Sequence, residues 1–234
     1  MSSPASSHPL PFRGLPPDRL RWVERQTTEF DPQLWQDALS ADSRWWPREL
    51  EEAGSTIDRT LVHVIGRRAT EPVAAAHTFV AATVWGSGNR RIRLRTRSWA
   101  DAFEVVANRL AAAARLLQDE GPFPAYAALL PGGRLYVNGV GPSFFTKFLY
   151  FAGYLSAVDQ LRPLIFDRVV RDALRMLCGL DLRGNSVADY ETYLELARNW
   201  AQEWQTEPDV VERVLFDVGK CPRLAVHVLL GREV

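Results

Sequence analysis

The chain has 234 residues, 47% of them hydrophobic, which suffices for one large domain or two small ones sharing a core. Lys+Arg and Asp+Glu both number 28, a formal charge of +0. That excludes a uniformly basic nucleic-acid-binding surface but not a local basic face. Only two cysteines, Cys178 and Cys221, are present, and the four histidines are scattered. A disulfide framework and a cysteine- or histidine-based metal site are therefore not expected, and no apolar run reaches membrane-spanning length.

Residues 1–17 are rich in Ser and Pro and lack the basic-then-apolar layout of a signal peptide, so a mobile tail and a cytoplasmic, nucleoid-associated protein are expected. Order begins near Pro17-Asp18, opening a single helical domain over residues 18–234. Asp31-Pro32 has the form of an N-cap with Pro at the first helical position, and Leu34, Trp35, Ala38 and Leu39 share a face. A short helix follows over 48–53, and Ile57, Leu61, Val64 and Ile65 predict one over 56–68. Residues 71–84 suit a buried helix closed by a turn at Trp85-Gly86-Ser87-Gly88. The Arg-rich stretch 89–98 alternates and reads as a strand or extended loop; Arg91 and Arg93 within it are candidate phosphate contacts. Helices are predicted over 99–118, 124–130, 142–154, 167–178, 186–205 and 208–218, with 224–230 apolar and undecided. The periodicity is helical almost throughout, so the fold class is all-α.

The segment Asn138-Gly139-Val140-Gly141-Pro142-Ser143 carries the chemistry. Glycines permit a tight turn and leave no side chain in a ligand's way, and Pro142 suits the first turn of a helix. Free amides at that helix start, with its dipole, suit a phosphate, and Val140 can plug the turn into the core. The helix that follows holds Phe144, Phe145, Phe148, Leu149, Tyr150 and Phe151 around Lys147. An amine with apolar neighbours loses hydration of its charged form, the condition that makes it a nucleophile near neutral pH. Twenty residues on, Asp167 begins another helix. A carboxylate there is held ionised by amides and dipole and can stabilise positive charge growing on a sugar.

This series resembles the helix-hairpin-helix base-excision DNA glycosylases, in particular the 8-oxoguanine DNA glycosylase branch. Over residues 124–178 it has a short helix, a Gly-Val-Gly hairpin, a second helix, and then an aspartate starting the next helix. The resemblance implies two helical lobes around a cleft, Lys147 as nucleophile and Asp167 as its acidic partner. It implies DNA contacts from Asn138, Gly139, Val140, Gly141 and Ser143, and a monovalent cation on hairpin carbonyls. The implied partner is DNA with a damaged, 8-oxoguanine-like base, bound by a monomer and flipped into a pocket for which Tyr193 and Trp200 are candidates. The chain departs from the pattern at Ser143, where many bifunctional members carry the lysine. Lys147 lies one helical turn later on the same face, about 6 Å along, so either it serves from that turn, or the hairpin is shifted, or the lyase activity is absent. The expected activity is glycosylase with AP lyase. Alternatives are a non-catalytic protein that binds abnormal or foreign DNA, and an all-α interaction module in which the turn is incidental.

Overall fold

The computed structural model describes residues 8–39, 42–155 and 161–221. Over these residues the regular structure is helical apart from one short strand pair, in agreement with the all-α expectation. The α-helices are α1 (Pro32–Ala38), α2 (Arg48–Ala53), α3 (Arg59–Gly66), α4 (Pro72–Ser87), α5 (Ile92–Thr96) and α6 (Phe103–Glu120). They continue as α7 (Pro122–Leu129), α8 (Pro142–Gly153), α9 (Arg168–Cys178), α10 (Val187–Glu203) and α11 (Pro208–Lys220). Two single turns, Leu20–Glu24 and Ser43–Trp45, precede them or lie between them. Strands β1 (Thr28–Glu29) and β2 (Thr56–Ile57) form one short antiparallel pair. No described helix is long and apolar enough to cross a membrane.

Helix starts follow local chemistry. Asp31, Asp58, Asp167 and Ser186 each accept first-turn amides, and Pro occupies the first turn of α1, α4, α7, α8 and α11. Helix α4 is the hub: its apolar residues are buried on nearly every side, and it packs against α3, α6 and α8. Helix α11 packs against α9 and α10. Polar bonds tie α11 to the rest, because Asp209 accepts from the Arg19 guanidinium at 2.7 Å and from the Tyr150 hydroxyl at 3.0 Å.

The structure revises several expectations. Residues 8–17 are not a free tail: Phe12 is buried against Trp200 and Trp204, whose indole nitrogens donate to the carbonyls of His8 and Gly14. Residues 56–57 leave the predicted helix to pair as β2. The turn at 85–88 comes later than expected, because α4 runs through Trp85 and Gly86 and ends at Gly88, where φ is +51°. The Arg-rich stretch is neither strand nor loop but the short helix α5, entered through Arg91 at φ +52°. The apolar run 224–230 lies outside the described residues.

Candidate functional site

Lys147 and Asp167 reach each other from two elements. Lys147 sits mid-way along α8, and its Nζ donates to Asp167 Oδ2 at 3.0 Å and to the Ser143 carbonyl at 2.9 Å. The side chain thus runs back toward the start of α8, as long helical side chains do, and delivers the amine to the level of Ser143. Asp167 caps α9: its Oδ1 accepts from the amides of Val169 and Val170 at 3.0 and 3.1 Å, leaving Oδ2 for the lysine. Lys147 is 6% exposed and Asp167 8%. Burial alone would raise the Asp167 pKa, yet the ammonium of Lys147 and the two helix amides outweigh it and hold the carboxyl below its ordinary value.

Side chains rather than a sheet hold the approach to Asp167. The Tyr190 hydroxyl accepts from the Leu164 amide and donates to its carbonyl, Tyr193 donates to the Ile165 carbonyl, and the Phe166 amide donates to the Thr146 hydroxyl. Buried backbone without a strand partner needs such substitutes. Tyr193, expected in a base pocket, is fully buried and stacked on Phe166, so it acts on the site only through residues 165–166. Trp200 is likewise buried, against Phe12. Neither lines the cleft described next, because the stripe of α10 that carries them faces the core.

The pair borders a cleft of about 550 Å³. Its wall includes Gln26, Arg59, Trp85, Glu212 and Phe216 besides Lys147 and Asp167. Arg59 and Glu212 are buried at its floor and bonded at 2.8 Å, and Arg59 also donates to Gln26 Oε1 at 3.0 Å. Burial pushes the Glu212 carboxyl above its ordinary pKa, against the pull of Arg59. The hydroxyl of Ser87 lies at the same wall, buried and without a partner.

The turn between α7 and α8 lies beside a smaller cavity of about 220 Å³, lined by Arg91, Leu94, Arg95, Gly139, Val140 and Phe144. Arg95 borders both cavities, its guanidinium 4.6 Å from the Phe144 ring centre. Arg91 therefore joins the turn, whereas Arg93 is exposed and lines neither cavity. Val140 is buried and plugs the turn; Asn138 and Gly139 are exposed. Gly139 has φ +75°, and a side chain there would collide with Ser98. Gly141 precedes α8 with no side chain capping the helix; Pro142 has no amide and those of Phe144 and Phe145 donate to the Gly141 carbonyl, so the Ser143 amide is the one left open at the start of α8, and a Cβ at Gly141 would meet nothing within 4 Å.

Sequence reasoning passed over Gly86, Arg59, Glu212, Trp85, Gln26 and Phe216. The usable signal was a charge inside an apolar stripe: Glu212 falls between Val211 and Leu215, and Arg59 precedes Val62, all of them buried.

No curated protein and no solved structure matches this chain. A family model described as "Putative 8-oxoguanine DNA glycosylase OGG-like protein" matches residues 21–216, a span containing α8, Asp167 and the whole cleft wall up to Phe216. With that span matched, the chain belongs to the 8-oxoguanine DNA glycosylase OGG-like family.

Proposed function

We propose that the protein is a DNA glycosylase with AP-lyase activity that excises a damaged, 8-oxoguanine-like base. The observation that carries this is the 3.0 Å contact between Lys147 Nζ and Asp167 Oδ2 at the wall of a cleft open to solvent. The open Ser143 amide at the start of α8 and the arginines at 90, 91 and 95 suit phosphate, so the Gly139-Val140-Gly141 turn acts as the hairpin that grips the backbone. A monovalent cation would use hairpin carbonyls; that of Val137 accepts one amide, from Val140, and keeps a lone pair, whereas that of Gly141 already accepts from Phe144 and Phe145.

A nucleotide flipped into the cleft brings C1′ to Lys147 and its base toward the Phe216 ring. The ammonium must give up a proton before attack. That proton passes along the hydrogen bond to Asp167 and on to the departing base, because a carboxylate held below its ordinary pKa does not retain it and the Ser143 carbonyl can only accept a hydrogen bond. The neutral amine then forms a bond to C1′ as the C1′–N bond to the base breaks, and the electron pair leaves with the base. Asp167, again ionised once that proton passes on to the departing base, stabilises the positive charge on the sugar. The C1′–O4′ bond then breaks, the proton on the attached nitrogen passes to O4′, and the hemiaminal ether becomes the Schiff base from which the strand is cut.

Borohydride reduction during turnover on DNA carrying 8-oxoguanine tests this. The expected result is a covalent protein–DNA product with the wild type and none with Lys147→Gln, while the variant still binds the DNA. Trapping by a folded Lys147→Gln protein places the nucleophile elsewhere. DNA binding without trapping by the wild type returns the chain to the non-catalytic reading.

A further inference from the structure

Helix α4 presents Gly86 to the cleft directly beside the Lys147 side chain. A Cβ built on Gly86 would lie 2.8 Å from Lys147 Cδ, 2.7 Å from Cε and 3.9 Å from Nζ, and these are its three nearest neighbours. The first two distances are shorter than any carbon–carbon contact a folded protein tolerates. Backbone conformation does not demand glycine here, since Gly86 lies in the last turn of α4 and has no positive φ. In such a position glycine weakens the helix relative to alanine. The space is taken by the lysine stem.

We infer that Gly86 is a positioning residue: the missing side chain on α4 is the notch through which Lys147 passes to bring its amine to Asp167. The amine is then held on three sides, by the Ser143 carbonyl, by Asp167 Oδ2, and by the wall of α4. A methyl group at 86 must displace the flexible stem, because the alternative is to move two packed helices. Displacement takes Nζ off the carboxylate and off the line to C1′. This inference rests on Lys147 being the nucleophile.

Single-turnover trapping with Gly86→Ala reads the effect. The expected outcome is a trapping rate constant at least tenfold lower than wild type, with unchanged final amplitude and unchanged affinity for DNA holding a tetrahydrofuran abasic-site analogue. A partly misfolded protein does the reverse: it lowers the amplitude and leaves the rate alone. A wild-type rate in Gly86→Ala overturns the inference. Thermal midpoints of the wild type, Gly86→Ala, Lys147→Ala and the double variant decide the matter without any catalysis. With Lys147 replaced, Gly86→Ala should raise the midpoint through helix propensity, and with Lys147 present that gain should be lost or reversed. An equal shift in both backgrounds overturns the notch. If the wild type traps nothing, the proposed function fails, and the midpoint cycle still reports on Gly86 by itself.

Discussion

Lys147 Nζ contacts Oδ2 of Asp167 at 3.0 Å while Oδ1 of the same carboxylate stays bonded to the amides of Val169 and Val170. One carboxylate therefore caps a helix and pairs with an amine, a division that only two equivalent acceptor oxygens allow.

Asp167→Asn separates the two roles. The asparagine keeps one carbonyl oxygen, which is a good N-cap, and offers an NH₂ where the lysine needs an acceptor. Helix α9 should persist, and the pairing with Lys147 should fail. If Asp167 acts as proposed, removing its charge from beside the reacting centre costs roughly 3 kcal/mol, on the order of a hundredfold in rate. Single-turnover base excision should fall by at least that factor, with helical circular dichroism unchanged. A rate within threefold of wild type would reduce Asp167 to a cap.

A second prediction concerns acid. His63 is buried among Tyr150, Phe151 and Tyr154, and its Nε2 has no partner. Burial, joined by the nearby Arg59 charge, brings its pKa from 6.5 down to about 4. The folded state thus resists a proton that the unfolded chain accepts. The contribution to stability is complete above pH 6.5 and is lost as pH falls from there through 4, by at most about 3 kcal/mol. His77, also lowered by burial, adds a slope of the same sign, and Glu212, raised by burial, opposes it near its own titration. The difference between wild type and His63→Phe isolates the His63 share. Urea unfolding from pH 7 to 4.5 should show a shallower decline in the variant; parallel curves would count against a buried neutral imidazole.

The part of the site that was legible in the sequence is the part that is local in the chain. Gly139, Gly141, Lys147 and Asp167 fall within thirty residues, and a turn, a helix and a cap convert that spacing directly into proximity. The rest of the cleft comes from the segment before α1, from α3, α4, α5 and α11, and only tertiary packing sets Arg59 against Glu212 across 153 positions. Tyr193 and Trp200 were misplaced because helical spacing shows that a stripe is buried without showing what it is buried against. The alternation in residues 89–98 misled for a different reason. Arg91 adopts a left-handed backbone conformation, which non-glycine residues seldom use, and from there the chain closes into a single short helix.

The two glycines of the turn between α7 and α8 should behave differently. Gly139 has φ +75° and no room for a side chain beside Ser98, so Gly139→Val should misfold locally and lower the thermal midpoint. Gly141 has φ −91° and open space, so Gly141→Val should fold. Its side chain would instead stand where, under the proposed function, a phosphate approaches the Ser143 amide at the start of α8. Losing one charge-assisted hydrogen bond, about 1.5 kcal/mol, weakens binding roughly tenfold. The loss should be the same for lesion and undamaged duplexes, because phosphate carries no sequence information. A folded Gly141→Val protein with wild-type Kd would remove the turn from the DNA interface.

The arginines at the cleft and at the smaller cavity beside it should trade stability for binding. Burial, followed by the charges of Arg91 and Arg90, lowers the pKa of Arg95, so the free protein holds like charges together at some cost. DNA phosphates would relieve that repulsion. Arg91 adds a backbone cost, since a left-handed conformation at a non-glycine residue is worth on the order of 1 kcal/mol. Arg91→Gly removes both the charge and the strain, partly offset by the greater freedom of glycine in the unfolded chain. The thermal midpoint of the free protein should therefore hold or rise. Binding should move the other way: affinity at low salt should drop, and the slope of log K against log salt should shrink by about 0.9, one phosphate contact. A titration series from 50 to 200 mM salt, with wild type and variant side by side, measures that slope. If the slope is unchanged, Arg91 contacts no phosphate, and its left-handed backbone needs another explanation.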